Sequence, residues 1–186
     1  DFLRASIPTT IDIRLDMDSD CRPVFADQTQ IHQVILNLCT NAAQAIQDEM
    51  GKIQINVADT KIQDELSRIH PELRPGNYVK VSVVDSGHGI PSRVKNKIFD
   101  PYYTTKQLGK GTGLGLAVVH GIITNHDGAI SVFSEPGKGA TFDVYFPVIE
   151  RREDKAAPTK SFEPLETGDE TILLVEDEEQ ILQMER

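Results

Sequence analysis

Two glycine-containing stretches carry the residues best suited to binding a ligand. In the first, Asp85 directly follows the predicted strand 78–84 and is followed by Gly87 and Gly89. A carboxylate at a strand end can accept a hydrogen bond from an exocyclic amine, and glycines let the backbone lie close to a flat ring. A simple Asp-Ser-Gly turn explains the same residues, so this stretch alone leaves both interpretations open.

The second stretch, residues 109–116, reads Gly-Lys-Gly-Thr-Gly-Leu-Gly-Leu and runs directly into a helical apolar pattern. It fits neither G-x-G-x-x-G nor G-x-x-x-x-G-K-[ST], the two common phosphate-binding fingerprints. Flexible backbone amides that lead into a helix N-terminus nevertheless favour a bound anion, by position and by the helix dipole. A flexible hinge is the alternative.

A pair of asparagines, Asn37 and Asn41, lies four residues apart on a predicted helix over residues 28–48. At helical spacing the two side chains are neighbours at the border of the apolar stripe. Asparagine is a mediocre helix former, and its carboxamide oxygen suits a hard cation such as Mg²⁺. Hydrogen bonds from these amides to neighbouring backbone are an equal alternative.

The formal net charge of −10 disfavours nucleic acid as a partner, because binding to a duplex depends on Lys and Arg. Within this acidic chain, residues 93–110 near the glycine stretches contain five basic residues and one acidic residue, Asp100. The basic residues are Arg93, Lys95, Lys97, Lys106 and Lys110. This local excess suits an anionic ligand, although a solvated basic face explains it as well. No apolar run approaches the roughly 18 residues of a membrane span, and the first residues lack a signal-peptide pattern.

Apolar periodicity predicts a domain of alternating strands and helices. Asp27 has the position of a helix N-cap, with Gln30 completing a capping box, and Gly51 is predicted to end that helix. Residues 61–76 are predicted to form a polar loop. The predicted strands cover residues 10–17, 53–57, 78–84, 129–134 and 140–147, the last two forming a hairpin, and a second helix covers about 116–126.

Five motifs follow one another along residues 10–147: an Asn-x-x-x-Asn helix, D-x-G-x-G-I, F-x-P-Y-Y-T-T-K, G-x-G-x-G-L and G-x-G-A-T-F. In sequence, order and spacing they resemble the catalytic ATP-binding domain of sensor histidine kinases, which is related to gyrase, Hsp90 and MutL. The segments QVILNLCTNAAQAI and PYYTTK are most similar to nitrogen-regulator-type kinases. The resemblance implies a two-layer α/β sandwich, in which a mixed sheet carries helices on one face.

The same resemblance implies that ATP and Mg²⁺ are the ligands. It puts Mg²⁺ on Asn41 with Asn37 in support, and the adenine amino group on Asp85. It also puts Thr141 near the adenine, in reach of Asp85 through water. The implied nucleotide-binding residues are Asn37, Asn41, Asp85, Gly87, Gly89, Ile90, Tyr103, Lys106, Lys110, Gly111, Thr112, Gly113, Leu114, Gly115 and Thr141.

The implied activity is that of a protein-histidine kinase, which transfers the ATP γ-phosphoryl group to a histidine. That histidine belongs to a dimerisation domain expected upstream, so no catalytic residue is expected in this chain. The segment from His70 to Pro75 mimics an acceptor motif, but Pro71 breaks its spacing. A module that only senses ATP or ADP, and an ATP-hydrolysing member of the superfamily, are the alternatives. Asn37 stands where gyrase-like members have the glutamate that activates water, which counts against hydrolysis.

The predicted organisation has three parts: a catalytic domain over 1–149, a charged, proline-bearing linker over 150–169, and a further segment over 170–186. The last segment resembles the start of a response-regulator receiver domain, with Glu176 and Asp177 matching its acidic pair. The expected partners are the histidine-bearing domain and a receiver, either in the same chain or as a separate response regulator. The chain is expected to be cytoplasmic, with no nucleic acid and no direct membrane contact.

Overall fold

The computed structural model describes residues 2–47, 50–63, 73–104 and 112–149. These residues form a mixed five-stranded sheet in the order β1-β2-β3-β5-β4. Strand β1 pairs with β2 in parallel, and the other neighbours pair antiparallel. The strands are β1 (Ile11–Met17), β2 (Gly51–Ile62), β3 (Gly76–Asp85), β4 (Ala129–Ser134) and β5 (Ala140–Pro147).

Two α-helices pack on one face of this sheet, α1 (Gln28–Ile46) and α2 (Gly115–Asn125). Two short 3-10 helices, Phe2–Ala5 and Ser92–Lys97, complete the described elements. This arrangement confirms the predicted α/β class, the mixed sheet and the closing hairpin. None of the helices among the described residues is long and apolar enough to cross a membrane.

Helix α1 begins at the predicted cap. The Asp27 carboxylate accepts hydrogen bonds from the N–H groups of Thr29 (2.7 Å) and Gln30 (3.0 Å). These hydrogen bonds hold the pKa of Asp27 below its usual value. The Asp27 N–H donates to His126 Nε2 (3.3 Å), at the end of α2, where a capping box would use the Gln30 side chain. The cap is therefore confirmed, but its reciprocal half comes from a distant histidine.

The prediction that Gly51 ends α1 is wrong. The helix ends at Ile46. The next residue, Gln47, has a positive φ (62°), and its N–H donates a hydrogen bond to Ala43 O. Gly51 instead opens β2, paired with Ile11. A Cβ at Gly51 would lie 2.5 Å from Ile46 Cγ2, so close packing against the helix end explains the glycine.

The predicted polar loop also begins later than Lys61. Strand β2 continues to Ile62, which pairs with Gly76 and is 2% exposed because it packs against Tyr78 and Tyr145. Residues 64–72, including His70, lie outside the described part of the chain.

The main core lies between the sheet and the two helices. Period-2 alternation sends every second strand residue toward α1 and α2. Buried core residues include Val34, Leu38, Val119, Ile123, Ile53, Val83, Phe142 and Val144. The intervening strand residues face the other side, where the buried Ser82 hydroxyl donates to Asp143 Oδ1 (2.5 Å). This alternation decides which β5 residues can reach the site described below.

Candidate functional site

Asp85 ends β3 as a buried carboxylate with one oxygen already occupied. Its Oδ1 accepts hydrogen bonds from Gly87 N–H (2.8 Å) and Ala140 N–H (3.2 Å). Burial raises the pKa of Asp85, while these two hydrogen bonds and the nearby His88 oppose the rise. Asp85 Oδ2 takes part in none of the hydrogen bonds found among the described residues. It is therefore the oxygen that can accept a hydrogen bond from a ligand.

Gly87 and Gly89 fit their places for reasons of protein packing. A Cβ at Gly87 would lie 2.7 Å from the Ala45 carbonyl carbon, and one at Gly89 (φ +73°) would overlap the Glu135 carbonyl oxygen. The His88 N–H also donates to Ala45 O (3.1 Å). From the sequence, these glycines were predicted to let the backbone lie close to a ligand ring. In the structure, protein backbone fills the space that a side chain would need.

Asn37 and Asn41 converge on the first residue of α2. A Cβ at Gly115 would lie 3.7 Å from Asn37 Oδ1 and 3.7 Å from Asn41 Nδ2, in van der Waals contact with both amides. Both asparagines are half-buried, as the border position predicts. Leu114, at the N-cap of α2, provides no side-chain hydrogen bond, so the first N–H groups of this helix keep their capacity for an anion.

Helix α1 connects the two halves of this site. Ala45 contacts the turn over residues 85–90, called here the Asp85 turn. Asn41 lies four residues before Ala45 on the helix, and Asn37 lies four residues before Asn41. At 1.5 Å rise per residue, the two amides lie about 6 and 12 Å along the helix from Ala45. The arrangement suits an elongated ligand with a hydrogen-bond donor at one end and negative charge at the other.

Tyr102 and Gly113 join the two ends of the segment between them. The Tyr102 N–H donates to Gly113 O (3.0 Å), and both residues have left-handed backbones, with φ of 65° and 66°. A Cβ at Gly113 would lie 2.5 Å from the Tyr102 carbonyl carbon. The predicted phosphate-binding residues Lys106, Lys110 and Gly111 lie outside the described residues, so their placement stays a prediction.

Most of the other predicted residues lie around this frame. Ile90 and Tyr103 are half-buried against the main core. Leu114 is 37% exposed beside the α2 N-terminus. The Thr112 hydroxyl accepts a long hydrogen bond (3.4 Å) from the Leu114 N–H.

Thr141 does not fit its predicted place beside Asp85. It pairs with Val84 on β3, whereas the next pair, Val83 and Phe142, belongs to the core beneath the helices. Because neighbouring strand residues point to opposite faces, the Thr141 side chain lies on the face away from α1. It also helps to line a cavity of about 180 Å³, whose lining includes Asp85, Ser134 and Ala140. Ala140, one residue earlier, is the β5 residue that contacts the Asp85 carboxylate.

The β4–β5 hairpin supplies part of the site that sequence reasoning missed. The Gly137 N–H donates to His88 O (2.8 Å), and the Ser134 hydroxyl contacts both the turn and the hairpin. The Ser-Glu-Pro-Gly-Lys-Gly sequence indicated a tight turn, but not what the turn would contact. The sequence signal that could have pointed to this part of the site is the pair Gly137 and Gly139. Both have positive φ values (80° and 81°) and shape the hairpin.

The side-chain amide oxygens of Asn37 and Asn41 are the proposed ligands for a divalent cation. The described residues contain no group of three or more His, Cys, Asp or Glu side chains that could bind a metal ion. Asn37 and Asn41 fit Mg²⁺, which takes oxygen ligands, keeps several waters and binds through few protein groups when phosphates supply the rest.

Comparison with known proteins agrees with this geometry. Residues 26–150 match the family described as "Histidine kinase-, DNA gyrase B-, and HSP90-like ATPase". The sensor kinase CckA of Brucella abortus is 40% identical over 178 residues, which cover 92% of this chain and 19% of CckA. The sensor histidine kinase ZraS of Escherichia coli K12 is 40% identical over 144 residues, covering 77% of this chain and 27% of ZraS. The chain thus spans about a fifth to a quarter of these curated relatives.

Solved structures give the same result. The catalytic domain of histidine kinase ThkA is 35% identical with a TM-score of 0.59, covering 79% of this chain and 83% of the ThkA chain. ShkA, solved at full length in complex with AMPPNP, is 28% identical with a TM-score of 0.59, covering 74% of this chain and 26% of ShkA.

Proposed function

The chain belongs to the family of histidine kinase-, DNA gyrase B- and HSP90-like ATPases, and we propose that its residues 1–149 bind Mg-ATP for transfer of the γ-phosphoryl group to a histidine. It corresponds to the catalytic ATP-binding domain of sensor histidine kinases. The observation that carries the proposal is the arrangement along α1. The turn that holds Asp85, whose Oδ2 takes part in no hydrogen bond found among the described residues, contacts Ala45, and the two amides lie beside the N-terminus of α2 at Gly115.

The adenine is proposed to bind at the Asp85 end. Asp85 Oδ2 would accept a hydrogen bond from the exocyclic amino group, while Oδ1 stays with Gly87 and Ala140. Ile90, half-buried against the core beside this turn, would contact the ring. Thr141 is given no hydrogen bond to Asp85 in this proposal, because its side chain lies on the opposite face of the sheet, although it lines the same cavity as Asp85.

The phosphates are proposed to bind at the α2 end. The backbone N–H groups of Gly111, Gly113 and Gly115 would donate to phosphate oxygens, with Lys106 and Lys110 adding positive charge. Asn41 would hold Mg²⁺ and Asn37 would support the metal and phosphate region. Bound there, the metal would neutralise charge on the β- and γ-phosphates.

Transfer depends mainly on positioning and on excluding water. The chain would hold ATP with its γ-phosphate toward the α2 N-terminus, where an acceptor imidazole nitrogen can attack in line and ADP leaves. We propose that the acceptor histidine belongs to a separate dimerisation domain, and that the phosphoryl group then passes to an aspartate of a receiver domain. His70 has no role in this scheme.

Two measurements test the proposal. Calorimetric titration of the chain with ATP, with and without Mg²⁺, should give binding that Mg²⁺ strengthens. Mixing the chain with the parent's histidine-bearing domain and γ-labelled ATP should then label that domain and not this chain. Binding without transfer would favour a nucleotide sensor, and release of free phosphate would favour an ATPase. Label on this chain that His70→Ala abolishes would make His70 an acceptor.

The segment 170–186 is proposed to begin a receiver-like domain after a linker over 150–169, although both lie outside the described residues. The CckA match supports this organisation, because it covers 92% of the chain whereas residues 1–150 make up about four fifths. The family match, in contrast, ends at residue 150. We also propose that the chain acts in the cytoplasm. Its partner would be a receiver domain in the same chain or a separate response regulator.

A further inference from the structure

One serine hydroxyl links the two backbone segments that lie on either side of Asp85. Ser134, the last residue of β4, accepts a hydrogen bond from the Ile90 N–H (2.7 Å) and donates one to Gly139 O (2.7 Å). Both hydrogen bonds are short, and together they use the donor and an acceptor site of the hydroxyl. The hydroxyl therefore sets the distance between the turn that ends at Ile90 and the strand that follows Gly139.

Both of these segments also contact Asp85. The turn supplies the Gly87 N–H at 2.8 Å, and the residue after Gly139 supplies the Ala140 N–H at 3.2 Å. Gly139 lies so close to the Asp85 carbonyl oxygen that a Cβ there would overlap it. A shift of the hairpin relative to the turn would therefore act directly on the two donors that orient the carboxylate.

We propose that Ser134 is a positioning residue for base recognition, which keeps Asp85 Oδ1 on its two backbone donors so that Oδ2 faces the adenine amino group. This inference rests on the proposed function. Without the hydroxyl, the Ile90 N–H and the Gly139 carbonyl lose their shared partner. The Ala140 hydrogen bond, the longer of the two to Asp85, is then the first to break, and the carboxylate can rotate away from the amine.

The rest of the hairpin keeps its own connection to the turn in such a variant. The Gly137 N–H still donates to His88 O (2.8 Å), and the His88 N–H still donates to Ala45 O (3.1 Å). Removing the hydroxyl should therefore change the orientation of Asp85 more than the fold around it.

The test compares ATP with inosine triphosphate, which carries a carbonyl oxygen in place of the adenine amino group. Dissociation constants are measured by calorimetry on the 186-residue chain in saturating Mg²⁺. Ser134→Ala should weaken ATP binding about tenfold and leave inosine triphosphate binding within about twofold, so that the preference for ATP shrinks. In an Asp85→Ala background the same substitution should not change the ratio further, because no side-chain group is left there to orient.

Three variants separate positioning from general loosening. Ser131→Ala removes a serine hydroxyl from the same strand, three residues away and on the other face, and should keep the wild-type ratio. Ser134→Thr keeps the hydroxyl and should restore it. Ser134→Cys, which is nearly the same size but a weak hydrogen-bonding group, should shrink the preference and serves if the alanine variant melts below the assay temperature.

An unchanged ratio in folded Ser134→Ala or Ser134→Cys would overturn the inference, as would equal weakening of both nucleotides. A wild-type chain that binds neither nucleotide would overturn the proposed function instead. Binding of ATP by the wild-type chain, with unchanged selectivity in the variants, would overturn only the role of Ser134.

Discussion

Asp85→Asn offers the sharpest test of the proposed adenine site, because the structure predicts how the new amide must orient. The wild-type Oδ1 accepts two backbone hydrogen bonds, from Gly87 and Ala140. An asparagine can satisfy both donors only by placing its carbonyl oxygen there, so that its NH₂ group replaces Oδ2. A hydrogen-bond donor would then face the adenine amino group, which is also a donor.

The magnitude follows from the hydrogen bond that is lost. Leaving a buried polar group without its partner costs about 1–3 kcal/mol, and at 25 °C this weakens ATP binding by roughly 5- to 150-fold. The same NH₂ group can donate to the carbonyl oxygen of inosine triphosphate. We therefore expect Asp85→Asn to bind inosine triphosphate more tightly than the wild-type chain does, measured by competitive calorimetric titration.

Stability provides the control for this variant. Burial raises the pKa of Asp85, so the folded state disfavours the charged carboxylate. For such a group, the stability of the fold decreases as pH rises from the ordinary aspartate pKa to the raised one. A neutral amide removes this cost, so above that pH range Asp85→Asn should melt at the wild-type temperature or higher. Unchanged ATP affinity in the folded variant would refute the assignment of Asp85 to the base.

Three further predictions concern the metal, the turn and the helix cap. Asn41→Ala should remove most of the Mg²⁺ dependence of ATP binding in calorimetry, while Gln33→Ala, at an exposed position on the same helix, should keep it; equal Mg²⁺ dependence in both would exclude Asn41 as a ligand. Gly89→Ala should destabilise the fold by about 2 kcal/mol or more in urea unfolding, since φ is +73° and a Cβ would overlap backbone. Gly121→Ala, where a Cβ meets nothing within 4 Å, should stabilise the fold by up to about 1 kcal/mol. If both glycine substitutions changed the free energy of unfolding in the same direction, the packing argument would be contradicted. Asp27→Ala should lower the melting temperature at pH 7 but not at a pH below the lowered folded pKa, because the cap stabilises only as a carboxylate; a pH-independent difference would count against it.

Local periodicity explains why so many elements could be predicted. Helix α1 and the β4–β5 hairpin were predicted nearly to the residue, since each sequence pattern records which side chains the element buries. The end of α1 could not be predicted in this way. A glycine is the usual signal for a helix end, but here Gln47 takes the positive φ, and Gly51 serves the packing of β2 against Ile46.

The face on which a strand residue lies was the harder problem. The G-x-G-A-T-F motif brought Thr141 to attention, yet the register of β5 against β3 decides which residue meets Asp85. That register joins residues almost 60 positions apart, and a shift of one residue exchanges the two faces. No pattern within the motif records this register. The motif therefore could not show that the Ala140 N–H, rather than Thr141, contacts the carboxylate.

Contacts from several elements hold the Asp85 end of the site. The Asp85 turn is fastened on three sides: Ser86 exchanges hydrogen bonds with Lys52 on β2, His88 bonds to Ala45 on α1, and the hairpin bonds through Gly137 and Ser134. These contacts fix the carboxylate before any ligand arrives, so recognition of the base needs little reordering. At the other end, the Tyr102 N–H donates to Gly113 O, on either side of the segment proposed to cover the phosphates. A base-recognition end that is ordered before binding is expected of a domain that must select ATP, because little free energy is then spent on orienting the carboxylate.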